Sequence, residues 1–272
     1  MRIYRDDGPS GVSHGIHPSA VIAEGAVIGD GCQIGPFCVI GPKVVLGRDV
    51  VLKSHVVVDG DTHIGDGCTI YSFAVIGEIP QDLKFDGTET QLRIGARNRI
   101  REHVTINTGT TGGGGLTKIG DDCLLMAGCH IAHDAHLGDR VIIVNSSAVA
   151  GHCLIADDVI IGGLCGVHQF VRIGQGAIIG ALSMVTNDVI PHGMVMGPRG
   201  TLDGLNLVGL KRKGVARADI TALRAAFQSL KDGEGTFHDR AARLGDESDS
   251  DFVQQMVAFI MGESDRSFLT PS

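Results

Sequence analysis

Branched aliphatic residues recur at every sixth position along most of the chain. A period of six fits neither the alternation of an ordinary strand nor the 3.6-residue turn of a helix, and it indicates a solenoid. We expect each hexad to bury its aliphatic residue, position i, together with residue i−2, and to turn residue i−1 outward. Three such hexads then complete a triangular coil. The series consists of Ile16, Ile22, Ile28, Ile34, Ile40, Leu46, Leu52, Val58, Ile64, Ile70, Ile76, Ile94, Ile100, Ile106, Ile119, Leu125, Ile131, Leu137, Ile143, Val149, Ile155, Ile161, Val167, Ile173, Ile179 and Val185.

The predicted fold is therefore an all-β solenoid, a parallel β-helix of hexapeptide repeats. Its period breaks twice, which predicts loop insertions near 78–92 and 108–118. We expect an N-terminal extension at 1–15, the β-helix over 16–190, and a linker with a C-terminal α-helical domain over 191–272, where apolar residues return at helical spacing. Insertions at solenoid corners commonly form the binding face. The Gly-rich second insertion is by itself only a weak sign of phosphate binding.

Composition narrows the range of functions. A formal net charge of −8 argues against general nucleic-acid binding. Gly often follows the aliphatic residue, where we expect positive φ or a tight turn. No apolar leader and no long apolar run is found, so we expect a cytoplasmic protein without membrane insertion. The cysteines all stand two residues before an aliphatic position, so we expect buried, structural thiols: Cys32, Cys38, Cys68, Cys123, Cys129, Cys153 and Cys165.

Several histidines fall on outward or corner positions of their hexads: His130, His133, His152 and His168. Residues one coil apart become neighbours, so His133 should lie beside Gly151 and close to His152 and His168. Asp134 follows His133 directly, where a carboxylate can orient the imidazole. The cluster suits either a general base that acts on a hydroxyl or a set of imidazoles that binds zinc.

Motifs spread over residues 16–214 resemble those of one enzyme family, the UDP-N-acetylglucosamine O-acyltransferases that begin lipid A biosynthesis. They include IGPFCVIGP, VLKSHVVVDG, RNRIREHVTINTGT, HIAHD, AGH, VHQF and GLKRKG. The resemblance implies a left-handed β-helix and a homotrimer with active sites between subunits. It further implies transfer of a β-hydroxyacyl chain from acyl carrier protein to the 3-hydroxyl of UDP-N-acetylglucosamine, with no metal and no cofactor.

The same resemblance assigns roles to individual residues. His133 would be the general base, Asp134 would hold or polarise it, and the Gly151 N–H would receive the negative charge that develops on the thioester oxygen. Ala181 occupies the position at which the family sets acyl-chain length. The cations among the predicted substrate contacts suit a UDP diphosphate. Those contacts are Asp82, Lys84, His130, His152, His168, Gln169, Asn206 and Arg212.

The chain departs from the family pattern in its linker and at its start. The segment MGPRG stands where the family usually has a G-N-x-A-type sequence, which bears on nucleotide contacts. The chain also begins several residues earlier than the family pattern. Basic residues on one strand and near the helical tail predict either a docking patch for the acidic carrier protein or a merely solubilising surface: Arg97, Arg99, Arg101, Lys211, Arg212 and Lys213.

The sequence leaves other functions open. A zinc-dependent hydratase of the γ-carbonic anhydrase type would use the same fold, although HIAHD fits its ligand pattern poorly. A non-catalytic scaffold or another hexapeptide acyltransferase is also compatible. The sibling N-acyltransferase of the pathway carries a separate N-terminal domain, for which hexads starting at residue 16 leave no room. Neither the acyl-chain length nor the choice between a 3-hydroxyl and a 3-amino sugar follows from the sequence.

Overall fold

The computed structural model of the chain describes residues 15–198, 200–264 and 266–271. The predicted N-terminal extension therefore lies outside the described residues except for Gly15. The strands, in chain order, are β1 Val21–Ile22, β2 Val27–Ile28, β3 Gln33–Ile34, β4 Val39–Ile40, β5 Val45–Leu46, β6 Val51–Leu52, β7 Val57–Val58, β8 Asp61–Ile64, β9 Thr69–Ile70, β10 Val75–Glu78, β11 Gln91–Ile94, β12 Arg99–Ile100, β13 Thr105–Asn107, β14 Leu116–Ile119, β15 Leu124–Leu125, β16 His130–Ile131, β17 His136–Leu137, β18 Ile142–Ile143, β19 Ala148–Val149, β20 Leu154–Ile155, β21 Ile160–Ile161, β22 Gly166–Val167, β23 Arg172–Ile173, β24 Ile178–Ile179, β25 Met184–Val185, β26 Gly193–Met196 and β27 Thr201–Leu205.

These strands form the three faces of a parallel solenoid, which confirms the predicted architecture. Each strand from β1 to β22 pairs in parallel with the strand three places later, as in the pairing of Val21 with Val39. Sheet 1 runs from β1 through β4 and every third strand to β25, sheet 2 runs likewise from β2 to β23, and sheet 3 runs from β3 to β24. Sheet 3 continues with β26, which pairs in parallel with β24, and ends with β27, which is antiparallel to β26.

The interior is built as the hexad pattern predicts. From Ile34 onward the aliphatic residue at position i is almost fully buried, and the small residue at i−2 is buried beside it. All seven cysteines are free and buried, and burial raises the pKa of the Cys123 and Cys153 thiols to about 12. Thiols that hold their protons so firmly are packing groups rather than nucleophiles. The first coil is less covered, since Ile16 is 49% exposed.

The glycine that follows the aliphatic residue was expected to have positive φ or to form a tight turn, and the expectation of positive φ is wrong for most of these glycines. Among those glycines within the described residues, only Gly77 has positive φ. The others are needed because successive coils touch there: a Cβ on Gly29 would lie 2.4 Å from the carbonyl oxygen of Gly47. The left-handed turn comes two residues later, at i+3, and non-glycine residues occupy it at Phe37, Asp49, His55, Phe73, Arg97, His103, Asp122, Asp134, Arg140, Ser146, His152, Asp158, Leu164, Phe170 and Leu182.

Stacking of coils turns each i+3 corner into a continuous row of side chains. The row after sheet 3 is partly aromatic, with ring centroids 5.0 Å apart from Phe37 to His55 and from His55 to Phe73, and 5.2 Å from Phe73 to His103. Phe37 and Phe73 are each about half exposed. We call these four residues the aromatic row.

Both insertions leave the solenoid at a corner and return to it in register. The first lies between β10 and β11, and Ile94 then pairs with Ile64 as if nothing intervened. The second lies between β13 and β14, contains a short 3-10 helix at Thr111–Gly113, and is followed by pairing of Ile119 with Ile94. The pairing of β10 with β13 shifts between Ile76 and Glu78, where the first insertion leaves the solenoid, but the register of sheet 2 continues unchanged after both loops.

The helices follow the last strand: α1 Leu207–Arg212, α2 Arg217–Asp232, α3 Phe237–Glu247 and α4 Asp251–Met261. The predicted amphipathic segment is α2, which buries Ile220, Leu223, Ala226 and Leu230. After α4 the chain returns to the solenoid, where Phe268 bridges to Asp188. Among the residues that the structure describes, no helix is both long and apolar enough to span a bilayer.

Candidate active site

His133 and Asp134 form a buried pair at the corner that follows β16. His133 Nδ1 lies 2.9 Å from Asp134 Oδ2, and the two residues are only 7% and 3% exposed. A carboxylate next to Nδ1 fixes the hydrogen on that nitrogen, so Nε2 keeps its lone pair. The pair therefore has the arrangement of an oriented general base, as the sequence predicts.

The Gly-rich insertion closes over Asp134. The carboxylate accepts hydrogen bonds from the backbone N–H of Thr110 at 2.9 Å and from its hydroxyl at 2.6 Å. The Asp134 N–H donates to Thr117 Oγ1 at 2.8 Å. A Cβ on Gly113 would lie 2.2 Å from the carboxylate, so this glycine is required for the loop to come so close. The loop thus positions the Asp134 carboxylate.

Gly151 lies directly beside the imidazole, in the next coil. A Cβ at this position would be 2.8 Å from His133 Nε2, so only glycine leaves room for another molecule there. None of the hydrogen bonds found among the described residues uses the Gly151 N–H. A donor without a partner next to a base is what an oxyanion site requires.

His133 and Gly151 open onto a cleft of about 370 Å³ on the face of sheet 1. The outward residues of successive strands form its floor: His130, Ala148, Gly166 and Met184. A Cβ on Gly166 would meet no heavy atom within 4 Å, so the fold does not require glycine here. The floor between His130 and Met184 is consequently a shallow groove with small side chains.

His152 and His130 flank the base on two sides. The His152 ring stacks on Phe170, with centroids 4.4 Å apart, and meets the His133 ring edge to face at 5.0 Å. Burial lowers the pKa of His152, an effect that the Asp134 carboxylate opposes. Burial also lowers the pKa of His130, whose Nδ1 lies 2.8 Å from the hydroxyl of Thr105. Both imidazoles thus favour the neutral form.

The first insertion brings Gln81 to this cleft and Asp82 within electrostatic range of His152. Asp82 is half-buried, acts electrostatically on His152 and accepts a hydrogen bond from the Lys84 N–H at 3.0 Å, while the Lys84 side chain is exposed. His168 and Gln169, also exposed, line the cleft on the opposite side. The structure therefore brings most of the predicted contacts to one place.

Two polar residues of the cleft, Gln81 and Asn107, were not predicted from the sequence. Asn107 is buried, and its Nδ2 donates to the carbonyl oxygens of Glu78 and Ile79. Its Oδ1 is buried without a partner in the described part of the chain. Asn107 directly follows Ile106, the last aliphatic position before the second insertion. A polar residue next to a break in the period was therefore the sequence feature that could have predicted it.

Other predicted site residues lie elsewhere on the protomer. Asn206 caps α1, where its Oδ1 accepts from Gly209 N and its Nδ2 donates to Gly176 O. Arg212 is exposed at the end of the same helix. Ala181 is exposed in the turn that joins β24 of sheet 3 to β25 of sheet 1. The structure of one chain does not join these residues to His133, and Arg199 of the MGPRG segment lies outside the described residues.

The basic residues of the predicted docking patch are partly neutralised. The Arg97 guanidinium binds Asp121 at 3.0 Å and Asp122 at 2.7 Å, and Lys213 Nζ lies 2.7 Å from Asp158. Arg101 lies over the Tyr71 ring and binds Glu102. Compensated charges of this kind attract an acidic partner weakly, which favours the solubilising interpretation for Arg97 and Arg101.

Among the residues that the structure describes, one group of side chains could hold a metal ion. Potential ligand atoms of His133, Asp134 and His152 all lie within 4.8 Å of one another. However, the Asp134 carboxylate is already occupied by Thr110 and His133. A metal would have to displace these hydrogen bonds, so the donor set suits an oriented base better than a zinc centre.

Comparisons with known proteins identify the family of this chain. A family model described as bacterial transferase hexapeptide, six repeats, matches residues 15–42, 43–78 and 116–151, and a model described as UDP N-acetylglucosamine O-acyltransferase, domain 2, matches residues 188–269. The acyl-[acyl-carrier-protein]–UDP-N-acetylglucosamine O-acyltransferase of Agrobacterium fabrum is 47% identical over 259 residues, which is 94% of this chain and 96% of the relative. The chain belongs to the UDP-N-acetylglucosamine O-acyltransferase family.

One further relative and two solved structures support this family assignment. The acyl-[acyl-carrier-protein]–UDP-N-acetylglucosamine O-acyltransferase of Paracoccus denitrificans is 63% identical over 195 residues, which is 72% of this chain and 74% of the relative. LpxA from Acinetobacter baumannii superimposes with a TM-score of 0.90 at 40% identity, covering 93% of this chain and 99% of that one. The UDP-N-acetylglucosamine acyltransferase of Campylobacter jejuni gives 0.89 at 37%, covering 95% and 100%. The predicted left-handed β-helix with a C-terminal helical domain is thereby confirmed, as is the acyltransferase class.

Proposed function

We propose that the chain transfers a β-hydroxyacyl group from acyl carrier protein to the 3-hydroxyl of UDP-N-acetylglucosamine, the first step of lipid A biosynthesis. The relatives named for this reaction support the substrates. The observation that carries the mechanism is the His133–Asp134 pair, whose free Nε2 faces Gly151 in the cleft. This geometry matches a base and an oxyanion donor on two sides of one reacting carbonyl group.

In the proposed reaction, His133 Nε2 removes the proton of the sugar hydroxyl as its oxygen attacks the thioester carbonyl carbon. The tetrahedral intermediate places its negative charge at the Gly151 N–H. Its collapse breaks the carbon–sulfur bond, and the leaving thiolate of the carrier takes the proton from His133. Asp134 holds the imidazole in the required tautomer throughout and stabilises its charged form. The products are the 3-O-acylated sugar nucleotide and the free carrier thiol.

We infer that the functional unit is a homotrimer with one cleft at each subunit boundary. The cleft of a single chain contains the base but not Asn206 or Arg212, which lie near a different corner. Residues of a neighbouring copy would complete the nucleotide site, as the family resemblance implies. The exposed aromatic row supports this inference, because stacked half-exposed rings are typical of a surface that another molecule covers. We expect the protein to be located in the cytoplasm.

The decisive experiment measures transfer to UDP-N-acetylglucosamine by wild-type protein, His133→Ala and Asp134→Asn. Loss of the general base should lower kcat by about 10² to 10⁴-fold, and loss of the orienting carboxylate should lower it as well. His63→Ala, an exposed histidine outside the cleft, is the matched control. Thermal melting should change little, because His133 lies outside the solenoid interior. Near-normal turnover by His133→Ala would overturn the base assignment, and parallel assays with the 3-amino sugar decide between ester and amide products.

A further inference from the structure

The C-terminal tail docks on an ion pair of the last coils, formed by Arg172 and the buried Asp188. Asp188 is fully buried and accepts hydrogen bonds from Arg172 N at 2.8 Å, Arg172 Nε at 2.7 Å and the Ser264 hydroxyl. The backbone of Asp188 also pairs with the tail, through Ser267 O and Leu269 N. The Arg172 guanidinium lies over the ring of Phe259 in α4, 4.9 Å from its centroid. Ser264, Ser267 and Leu269 are consequently fixed against the solenoid.

The docked tail carries Arg266 to the edge of the active-site cleft. Its Nη2 lies 3.0 Å from His168 Nδ1 and 2.9 Å from Gln169 O. Arg266 is half-buried, whereas His168 and Gln169 are exposed. One guanidinium nitrogen therefore connects two predicted substrate-contacting residues to a segment almost 100 positions later in the sequence.

This contact decides which nitrogen of His168 carries hydrogen. A guanidinium only donates, so His168 Nδ1 is the acceptor, and the hydrogen of the neutral ring lies on Nε2. His168 Nδ1 also lies 3.2 Å from Gln169 O, a contact that would require the opposite tautomer. The arginine is closer to both atoms and satisfies both as acceptors, so the first assignment is favoured.

We propose that Arg266 is a positioning residue that holds His168 with its Nε2–H available as a hydrogen-bond donor to a substrate oxygen in the cleft. The role of His168 as a substrate contact rests on the proposed function, whereas the tautomer does not. Without Arg266, Nδ1 is free to donate to Gln169 O, and Nε2 then becomes an acceptor that repels a carbonyl or phosphate oxygen. The helical domain thereby contributes to substrate binding through its tail.

The tautomer is tested without any reaction, by ¹⁵N nuclear magnetic resonance of histidine-labelled protein. The His168 signals are assigned by their absence from His168→Gln. We expect the Nε2–H form in wild-type protein and a shift toward the Nδ1–H form in Arg266→Met, which keeps the length of the side chain but removes its donors. Arg224→Met, an exposed arginine of α2, is the control and should leave the signals unchanged. A wild-type His168 in the Nδ1–H form, or no change in Arg266→Met, overturns the proposal.

Kinetics test whether Arg266 acts through His168. Arg266→Met should lower kcat/KM by about tenfold or more, the kinetic equivalent of one hydrogen bond to a charged group. In His168→Ala the same change should have almost no further effect, because the two residues then no longer interact. Losses that multiply in the double variant would show a merely structural role and overturn the proposal. Wild-type protein that forms no acylated sugar would overturn the proposed function alone, since the tautomer experiment would still decide the role of Arg266.

Discussion

At the scale of single residues, the period predicted the direction of side chains but not the conformation of the backbone. Inward and outward positions follow from alternation along each short strand, so the buried cysteines and the outward His130 were predictable. The crowding at Gly29 was not, because it arises between backbones of different coils. Arg266 and Asn107 were not predicted either, because the hexad period does not predict the position of residues in the C-terminal tail or at the edge of an insertion.

Acyl-chain length provides a prediction at this scale. Met184 is the first large side chain along the groove after Ala148 and Gly166, and it is more than half exposed. We expect Met184→Ala to shift the preferred β-hydroxyacyl thioester toward longer chains, because the groove then continues by one strand spacing of about 4.8 Å.

The measurement is a panel of carrier-protein thioesters of increasing chain length, scored by kcat/KM. Ala181→Gly is assayed in parallel, because the family resemblance assigns chain length to that position, and Leu182→Ala is the exposed neighbour used as a control. If only Ala181→Gly changes the preference, the end of the acyl chain is set by the sheet 3 corner and Met184 has no part in it.

At the scale of elements, the structure shows how insertions and helices depend on the solenoid. The positions of both insertions were visible as breaks in the period, but their contacts were not. Burial of Asp134 beneath the Gly-rich loop depends on Thr110 and Gly113, residues that sequence alone gives no reason to pair with a carboxylate one coil away. The helices attach through specific polar contacts, such as His192 with Gln255 of α4.

This attachment predicts a pH dependence of stability. Burial lowers the pKa of His192 below its ordinary value of 6.5; Gln255 and Asp158 oppose this shift, and Lys213 adds to it. The unfolded chain therefore binds a proton more readily than the folded one, so this contribution is complete above pH 6.5 and is lost as the pH falls toward the folded-state pKa.

We expect the free energy of unfolding, measured by chemical denaturation, to decrease between pH 7 and pH 5.5. His130 and His152 add to the decrease, because burial lowers the pKa of each. His192→Asn should make the decrease shallower, since one of the titrating groups is removed. An unchanged slope in this variant would show that His192 does not link the helices to pH.

At the scale of the whole molecule, the assembly of several copies is the property that is hardest to predict from a single chain. The hexad pattern predicted the three-faced solenoid, and the motifs predicted the acyltransferase family, because both depend on residues of a single chain. The partners that we propose for the aromatic row and for Arg212 belong to another copy, and a pattern within one chain does not display contacts between copies.

We therefore expect sedimentation velocity to give three times the chain mass of 28.5 kDa. Phe37→Ser combined with Phe73→Ser should weaken the assembly, because it removes two half-exposed rings from the aromatic row. Turnover should fall with the trimer fraction, while the far-ultraviolet circular dichroism of the solenoid should persist. A double variant that remains trimeric would place the interface elsewhere.

The weak cover over the first coil has a consequence for how the protein opens. Ile16 is half exposed, whereas Ile131, next to the His133–Asp134 pair, is completely buried. In a stack whose coils contact only their neighbours, fraying begins at the least protected end and must propagate coil by coil. Amide hydrogens near Ile22 should thus exchange with solvent long before those near His133, and the cleft should keep its shape while the chain upstream repeatedly unwinds and rewinds.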